Sequence, residues 1–149
     1  MNPPISRWPV PDIADLPDDL RARILDVQAK AGFVPNVFLA FAHRPEEARA
    51  FFAWHDALLG KNSGTLTKAE REMIIVATSA ANDCLHCVVA HGALLRVYAK
   101  APLLADQVAT NHLKADINER QRAMLAFALK VCTHSGEIVD ADFAALREH

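Results

Sequence analysis

The chain has 149 residues, a length typical of one globular domain, and 52% of them are hydrophobic, which is enough for a sizeable core. Its 16 basic and 18 acidic residues leave a formal net charge of −2, so neither nucleic acid nor an anionic membrane is favoured as a partner. Three cysteines are too few for a disulfide framework, and we expect a cytoplasmic protein with a redox or metal site. No signal peptide or membrane-spanning run is recognisable.

The first part of the chain predicts an arm followed by two helical segments. Residues 1–17 are rich in proline, and we expect either an extended arm that packs on the surface through Trp8 or a disordered leader. Apolar residues at helical spacing predict a helix over Asp18–Ala31, which Gly32 would end. The short apolar stretch 37–42 predicts one or two buried helical turns.

Two longer helices are predicted next. Pro45 suits the first position of a helix, and His55 lies on the apolar stripe of that helix. We expect His55 to be a hydrogen-bonded core or interface histidine, with a place beside a thiol site as the alternative. Residues 61–64 predict a loop. Thr67 with Glu70 three residues later has the capping-box form, so another helix should start there.

Glu72 lies where this helix is expected to pass from a charged first turn into a buried body. Residues 73–81 contain no charged side chain, so this part of the helix should be buried on all sides. A carboxylate at that boundary can exchange protons near neutral pH with a histidine that shares its burial. The alternative is a solvated glutamate in the first turn of a helix.

The centre of the chain holds a Cys-x-x-Cys pair, Cys84 and Cys87, followed four residues later by His91. Residues 82–83 form a natural break, and a helix from Cys84 to about residue 100 would place all three side chains on one face. The two cysteines would then lie at the helix N-terminus, where a partial positive charge and free N–H groups favour a thiolate.

Three interpretations of this pair stay open from the residues alone. A close dithiol can oxidise to a disulfide while a histidine one turn away moves protons. Cys84, Cys87 and His91 could also ligate zinc with His86 or His55, although no second ligand pair of the kind found in structural zinc sites is present. The third interpretation is two cysteines in a tight core. We favour the redox site and predict no metal and no cofactor.

The last third of the chain predicts three more helices. Pro102 can open one of them, with Leu103, Leu104 and Val108 on its inner face. Asn118 with Gln121 is a second capping signature, before a helix that ends near Cys132. Cys132 has no polar neighbours of the kind that activate a thiol, so we expect it to be packed.

The predicted fold class is all-α, with a single helical domain. Residues 134–136 break the chain, and Asp140 should cap a last short helix. No segment predicts a strand. We expect an extended arm over residues 1–17 and a helical bundle over residues 18–149.

The run from Glu72 to His91 resembles the alkylhydroperoxidase AhpD family, within the carboxymuconolactone decarboxylase-like superfamily. That family has a glutamate, eleven residues, then Cys-x-His-Cys-x-x-x-His, and the matching positions here are Glu72, Cys84, His86, Cys87 and His91. Segments 32–36, 43–45 and 79–84 resemble the branch known as uncharacterised peroxidase-related enzymes.

The resemblance implies an all-helical AhpD-like subunit that forms a homo-oligomer and reduces hydroperoxides with thiols. Carried over by position, Cys87 attacks the peroxide, Cys84 resolves the product, and Glu72, His91 and His86 relay protons. The implied partners are a peroxide substrate and a dithiol or thioredoxin-like reductant. The alternative is a non-catalytic redox sensor or binding module that uses the same dithiol as a switch. Relatives usually continue with further helical sequence beyond the last residue of this chain.

Overall fold

The computed structural model describes residues 4–60 and 64–149, and every regular element in these ranges is a helix. The α-helices of this part are α1 Asp18–Ala31, α2 Asn36–Phe41, α3 Pro45–His55, α4 Lys68–Ala81, α5 Leu85–Ala99, α6 Leu104–Asn111, α7 Glu119–Thr133 and α8 Asp140–Glu148. The predicted all-α class is therefore confirmed. Among the described helices, none combines the length and the apolar character that crossing a membrane requires. Apart from Gly64, the predicted loop 61–64 lies outside the described residues.

Two compact units make up the chain, Met1–Lys61 and Asn62–His149. In the first unit α1 has the predicted bounds, and Gly32 ends it with a φ of +80°, where the lack of a Cβ matters. The N–H of Gly32 donates to the carbonyl of Gln28 at 2.8 Å. The boundary predicted at residue 17 stays a prediction.

The first unit has a small apolar core around α1. Its buried members are Leu16, Leu20, Ile24, Ala42, Ala48 and Phe52. The arm reaches this core through Leu16, whereas Trp8 is 68% exposed and stacks on the ring of His43. Helix α2 itself has no fully buried residue, but residues 38–40 are half-buried and Ala42, which follows the helix, is buried, so the predicted burial of 37–42 is met only in part. With six residues, α2 makes fewer than two turns. The buried residues of this core form two clusters, and Phe38 of α2 packs against both.

Helix α4 is the central helix of the second unit and packs against α5, α6 and α7. It begins with the predicted capping box, in which the backbone N–H of Glu70 donates to the Thr67 hydroxyl and the N–H of Thr67 donates to the Glu70 carboxylate. Residues 73–80 are all buried or half-buried, as the absence of charge predicted, and Ala81 is exposed. The charged residues of the first turn, 70–72, are buried as well. The core around it comprises Met73, Val76, Ala77, Leu95, Leu104, Ala105, Val108, Ala115, Met124 and Leu125.

Two predictions for the last third need correction. Helix α6 begins two residues after Pro102, and Leu103 precedes its first turn and is 68% exposed. Leu104 and Val108, the other two residues predicted for the inner face, are four residues apart and both buried. Cys132 is exposed rather than packed, because the core ends before the last turn of α7.

The C-terminal helices pack through a few specific contacts. The capping box of Asn118 and Gln121 is present at the start of α7, as predicted. Helix α8 starts at Asp140, but the residue in the cap position is Val139, whose N–H donates to the Asp142 carboxylate at 2.8 Å. The same carboxylate accepts from the Lys130 ammonium at 2.7 Å and so holds α8 on α7.

Candidate active site

A tight turn between α4 and α5 determines where the cysteines lie. The N–H of Cys84 donates to the carbonyl of Ser79 at 2.9 Å, and the N–H of Asp83 donates to the carbonyl of Ala80 at 3.2 Å. These are the two bonds of a Schellman motif, whose left-handed position is occupied by Asp83 with a φ of +54°. Aspartate tolerates that conformation better than most residues. The predicted break at 82–83 is confirmed, and Cys84 becomes the N-cap of α5.

Because the turn is short, α5 runs back along α4 in the opposite direction and the facing side chains pair in order. Glu72 and Ser79 are seven residues apart on α4, so they share one helical face. The residue facing Glu72 is His91, and Ser79 faces the two cysteines. The site is therefore built along a single pair of packed helices.

The first half of the site is a carboxylate–imidazole couple. Glu72 is 6% exposed, and its Oε2 lies 2.8 Å from Nδ1 of His91. This confirms the expectation that a buried Glu72 would hydrogen-bond to one of the nearby histidines. The His91 side chain keeps 26% of its surface exposed, and its second ring nitrogen has no hydrogen bond within the described residues. Such a couple can hold one proton and release it at the free ring nitrogen.

The second half of the site is a pair of half-buried free thiols that hydrogen-bond to each other, Cys84 and Cys87. The bond from the Cys87 thiol lowers the pKa of Cys84 below its ordinary value, and the backbone N–H of Cys87 adds to this effect. That N–H does not make a full capping hydrogen bond, but it belongs to the free donors of a helix N-terminus.

Cys87 is affected in the opposite direction. Its bond to Cys84, its own burial and the negative charge on Cys84 raise the pKa of the Cys87 thiol. Of the two thiols, Cys84 is therefore the one that loses its proton more readily. A proton must move before the sulfur of Cys87 can act as a nucleophile.

Ser79 is a residue of the site that the sequence analysis missed. It is 9% exposed, and its hydroxyl acts to lower the pKa of the Cys87 thiol, against the larger effects that raise it. A polar side chain on a helix already predicted to be buried needs a partner. The available signal was its position, seven residues after Glu72 on the same helical face.

Three other residues were considered for the site: His86, His55 and Cys132. His86 is exposed and makes no hydrogen bond within the described part of the chain. His55 belongs to the first unit, where its Nδ1 lies 3.2 Å from the Asp56 carboxylate, which agrees with the hydrogen-bonded interpretation. The sulfur of Cys132 accepts a hydrogen bond from the Asn82 amide at 2.9 Å.

No three His, Cys, Asp or Glu side chains in residues 4–60 and 64–149 are grouped so that they could hold one metal ion. The ligand set considered for zinc is thus not assembled in this arrangement. What the arrangement does provide is a dithiol at a helix N-terminus and, one turn along the same helix, an imidazole held by a buried carboxylate.

Comparisons with known proteins agree with this description. The model of the carboxymuconolactone decarboxylase family matches residues 45–109, which include all of α4 and α5. One similar crystal structure is described as an alkylhydroperoxidase AhpD core, an uncharacterized peroxidase-related protein from Ralstonia eutropha JMP134. Its sequence is 72% identical to this chain, the TM-score is 0.92, and the match covers 99% of this chain and 77% of that protein's chain. An uncharacterized peroxidase-related protein from Silicibacter sp. TM1040 is 40% identical with a TM-score of 0.88, over 100% and 76% of the two chains. Among curated proteins no match is found.

The fold and the site thus define an all-helical protein with a dithiol at the start of the helix that packs antiparallel to its central helix. The chain belongs to the AhpD-like family of the carboxymuconolactone decarboxylase-like superfamily, with peroxidase-related proteins as its structural neighbours. The predicted family and the predicted AhpD-like helical fold are both confirmed.

Proposed function

We propose that this protein is a thiol-dependent hydroperoxide reductase that oxidises Cys84 and Cys87 to a disulfide in each cycle. The observation that carries the proposal is the hydrogen-bonded pair of half-buried thiols at the N-terminus of α5. The couple of Glu72 and His91 supports it as a source of protons on the same helix pair. The peroxidase-related names of the two neighbours agree with this chemistry.

In the first step Cys87 passes its proton to the sulfur of Cys84, and the resulting Cys87 thiolate attacks an oxygen of the hydroperoxide. A sulfur–oxygen bond forms and the oxygen–oxygen bond breaks, so Cys87 is oxidised to a sulfenic acid. The departing alkoxide takes a proton from His91 and leaves as an alcohol. Glu72 holds the imidazole in place and stabilises its charged form while it waits to donate.

In the second step the sulfur of Cys84 attacks the sulfur of Cys87. The disulfide forms, the sulfur–oxygen bond breaks, and the departing hydroxide receives the Cys84 proton and leaves as water. Solvent returns the proton that His91 gave up, with His86 on the exposed surface as an additional carrier. A dithiol or thioredoxin-like reductant then reduces the disulfide and restores both thiols.

A steady-state assay of peroxide consumption with a dithiol reductant tests this function, run over several peroxides and several dithiols. A reductase consumes many equivalents of peroxide per chain, whereas a redox sensor stops after one. The order of attack is tested separately by trapping sulfenic acid with dimedone in the Cys84→Ser and Cys87→Ser variants. The dimedone adduct should form on Cys87 in the Cys84→Ser variant. In the steady-state assay, consumption of a single equivalent of peroxide per chain would contradict the enzymatic proposal.

We also infer that the protein forms a homo-oligomer. Helix α5 carries a stripe of exposed apolar side chains at four-residue or eight-residue spacing, with Leu85 77%, Val89 61% and Val97 68% exposed. Contiguous exposed apolar surface of this kind is typical of an interface. Light scattering at micromolar concentration should give a mass above that of one chain, and Val89→Glu should lower it. A monomer in the parent protein would contradict the inference.

A further inference from the structure

Asp83 is an acidic residue directly before Cys84 that the proposed mechanism does not use. Its side chain is exposed and makes no hydrogen bond or ion pair within the described part of the chain. Residues 73–95 include the turn and most of the two packed helices, and no other Asp, Glu, Lys or Arg occurs among them. A single unpaired charge therefore lies beside the dithiol.

The conformation of the turn does not explain the presence of a carboxylate. Asp83 has a φ of +54°, and Gly32, which ends α1 in the same left-handed region, has a φ of +80°. Glycine takes this conformation without strain, whereas aspartate is tolerated there mainly when its side chain hydrogen-bonds locally. The side chain of Asp83 makes no such bond within the described residues. The turn would thus form at least as well with glycine.

The helix dipoles do not explain the carboxylate either. Asp83 lies between the C-terminus of α4, where a negative charge is unfavourable, and the N-terminus of α5, where a negative charge is favourable. Because the two effects oppose each other, the charge gives the helices little net stabilisation. Its effect on approaching molecules is the remaining physical consequence.

The carboxylate is close enough to the thiols to act on molecules that approach them. Neighbouring Cα atoms are about 3.8 Å apart, so the lengths of the two side chains keep the Asp83 oxygens within about 10 Å of the Cys84 sulfur. At that distance in water, a unit charge changes the local concentration of a singly charged reagent by about twofold. Anions are repelled, cations are attracted, and salt screens both effects.

We propose that the Asp83 carboxylate selects by charge the molecules that reach the dithiol. Uncharged hydroperoxides and uncharged or cationic reductants then reach the cysteines more readily than anionic ones. This inference deepens the proposed function and rests on it for the identity of the substrates. The carboxylate itself takes no part in making or breaking bonds, and its effect on charged reagents can be measured without any peroxide.

The test compares two thiol reagents of opposite charge on a single cysteine. In a variant with Cys87→Ser and Cys132→Ser, Cys84 is the one thiol left. It is modified with methanethiosulfonates that carry either a sulfonate or a trimethylammonium group. Asp83→Asn removes the charge and keeps a side chain that tolerates the left-handed conformation.

The expected result is a change in the ratio of the two modification rates, which cancels any change in the reactivity of the thiol itself. The measurement is made at pH 8, where ordinary imidazoles are uncharged. At an ionic strength of about 10 mM, Asp83→Asn should lower the ratio of the cationic to the anionic rate by about fourfold, since each rate changes by about twofold. At about 1 M salt the difference between the parent and the variant should disappear.

Asp116→Asn is the matched control, because it removes the same charge from another exposed aspartate. Asp116 precedes α7, whose 15 residues span about 22 Å, whereas the turn before α5 contacts Cys132 near the end of α7. This variant should leave the rate ratio unchanged. Asp83→Lys should lower the ratio beyond the value in Asp83→Asn, and Lys100 shows that lysine adopts the required conformation in this fold, with a φ of +53°.

A second arm measures turnover with peroxides of different charge. Asp83→Asn should leave kcat/KM for uncharged tert-butyl hydroperoxide unchanged and should raise kcat/KM for the anion peroxymonosulfate by about twofold at low salt. An equal change for both peroxides would overturn the inference, because charge selection acts on the anion alone.

Three results of the reagent test would also overturn the inference. These are an unchanged rate ratio in Asp83→Asn, an equal shift in Asp116→Asn, and a shift that persists in high salt, which would indicate an altered turn. If the ratio shifts as expected but the parent protein shows no peroxide turnover, the role of Asp83 stands and the proposed function fails. The two proposals can therefore be distinguished.

Discussion

The two ends of the α4–α5 pair differ in how much water reaches them. Away from the turn, Glu72 is almost fully buried and hydrogen-bonds to His91. At the turn, Cys84 and Cys87 are half-buried and hydrogen-bond to each other. We call these the carboxylate end and the thiol end. A buried carboxylate keeps its hydrogen-bond partner because water cannot reach it to replace that partner. A nucleophile, by contrast, must be accessible to its substrate.

In the proposed function, this difference accounts for the separation of the proton donor and the nucleophile along one helix pair. A carboxylate without a partner would be costly to bury, so folding itself brings an imidazole to Glu72. No comparable penalty forces a partner on a half-exposed thiol. The thiol end instead depends on the turn, whose bond from Cys84 to Ser79 sets the start of α5.

The largest expected effect is at the thiol end. Cys87→Ser should abolish peroxide turnover, because the hydroxyl of serine cannot take over attack on the oxygen–oxygen bond at neutral pH. Cys132→Ser should leave turnover nearly intact, since that thiol lies on α7 and, within the described residues, hydrogen-bonds to the amide of Asn82 alone. The steady-state peroxide assay measures both, and equal losses would contradict the assignment of Cys87.

The carboxylate end should come next. Glu72→Gln keeps the shape of the side chain and removes its charge, so His91 loses the group that stabilises its protonated form. We expect turnover to fall by roughly 10²-fold, the usual scale for loss of an acid–base group. The pH profile of turnover should change as well, while the alkylation rate of Cys84 should not. A parental rate and pH profile would mean that Glu72 is only a structural residue of α4.

Sequence patterns were sufficient for the elements whose signals are local. The two capping boxes, at Thr67 and Asn118, and the uncharged run 73–81 predicted α4 and α7 because caps and burial depend on neighbours within a few residues. The pairing of Glu72 with a histidine was also predictable, since a buried carboxylate requires a partner.

What could not be predicted depends on which helix packs against which. A serine within an apolar run gives no sign of its partner, and Ser79 meets Cys87 only because α5 returns along the same face of α4. The exposure of Cys132 depends on where the core ends along α7. The opposite pKa shifts of Cys84 and Cys87 come mainly from the hydrogen bond between the two thiols, which spacing alone does not show.

The two histidines of the family pattern provide a further comparison. His91 is held by Glu72, whereas His86 is exposed and has no hydrogen bond within the described residues. His91→Asn should therefore lower turnover by about tenfold or more, and His86→Asn should cost less. Single-turnover measurements of disulfide formation in the two variants test this order. A greater loss in His86→Asn would move the proton donor to the exposed side of α5.

The smallest effect concerns which thiol of the reduced parent protein reacts first with an alkylating agent. The pKa of Cys84 is lowered, mainly by the hydrogen bond from the Cys87 thiol, so its thiolate persists to lower pH than that of an ordinary cysteine. The pKa of Cys87 is raised, so its thiolate forms only at higher pH. Iodoacetamide near neutral pH should therefore label Cys84 severalfold faster than Cys87, as fragment masses would show. As the pH falls, Cys84 should stay reactive to a lower pH than Cys87.

Removing the donor sharpens this test. Cys87→Ala deletes the thiol that donates to Cys84, so the pKa of Cys84 should rise and its labelling should need a higher pH. Glu72→Gln changes the other end of the helix pair and should leave the labelling order as it is. If Glu72→Gln reversed the order in which the two thiols are labelled, the carboxylate and the thiols would titrate as one coupled system. The thiolate would then be controlled by the carboxylate rather than by the neighbouring thiol.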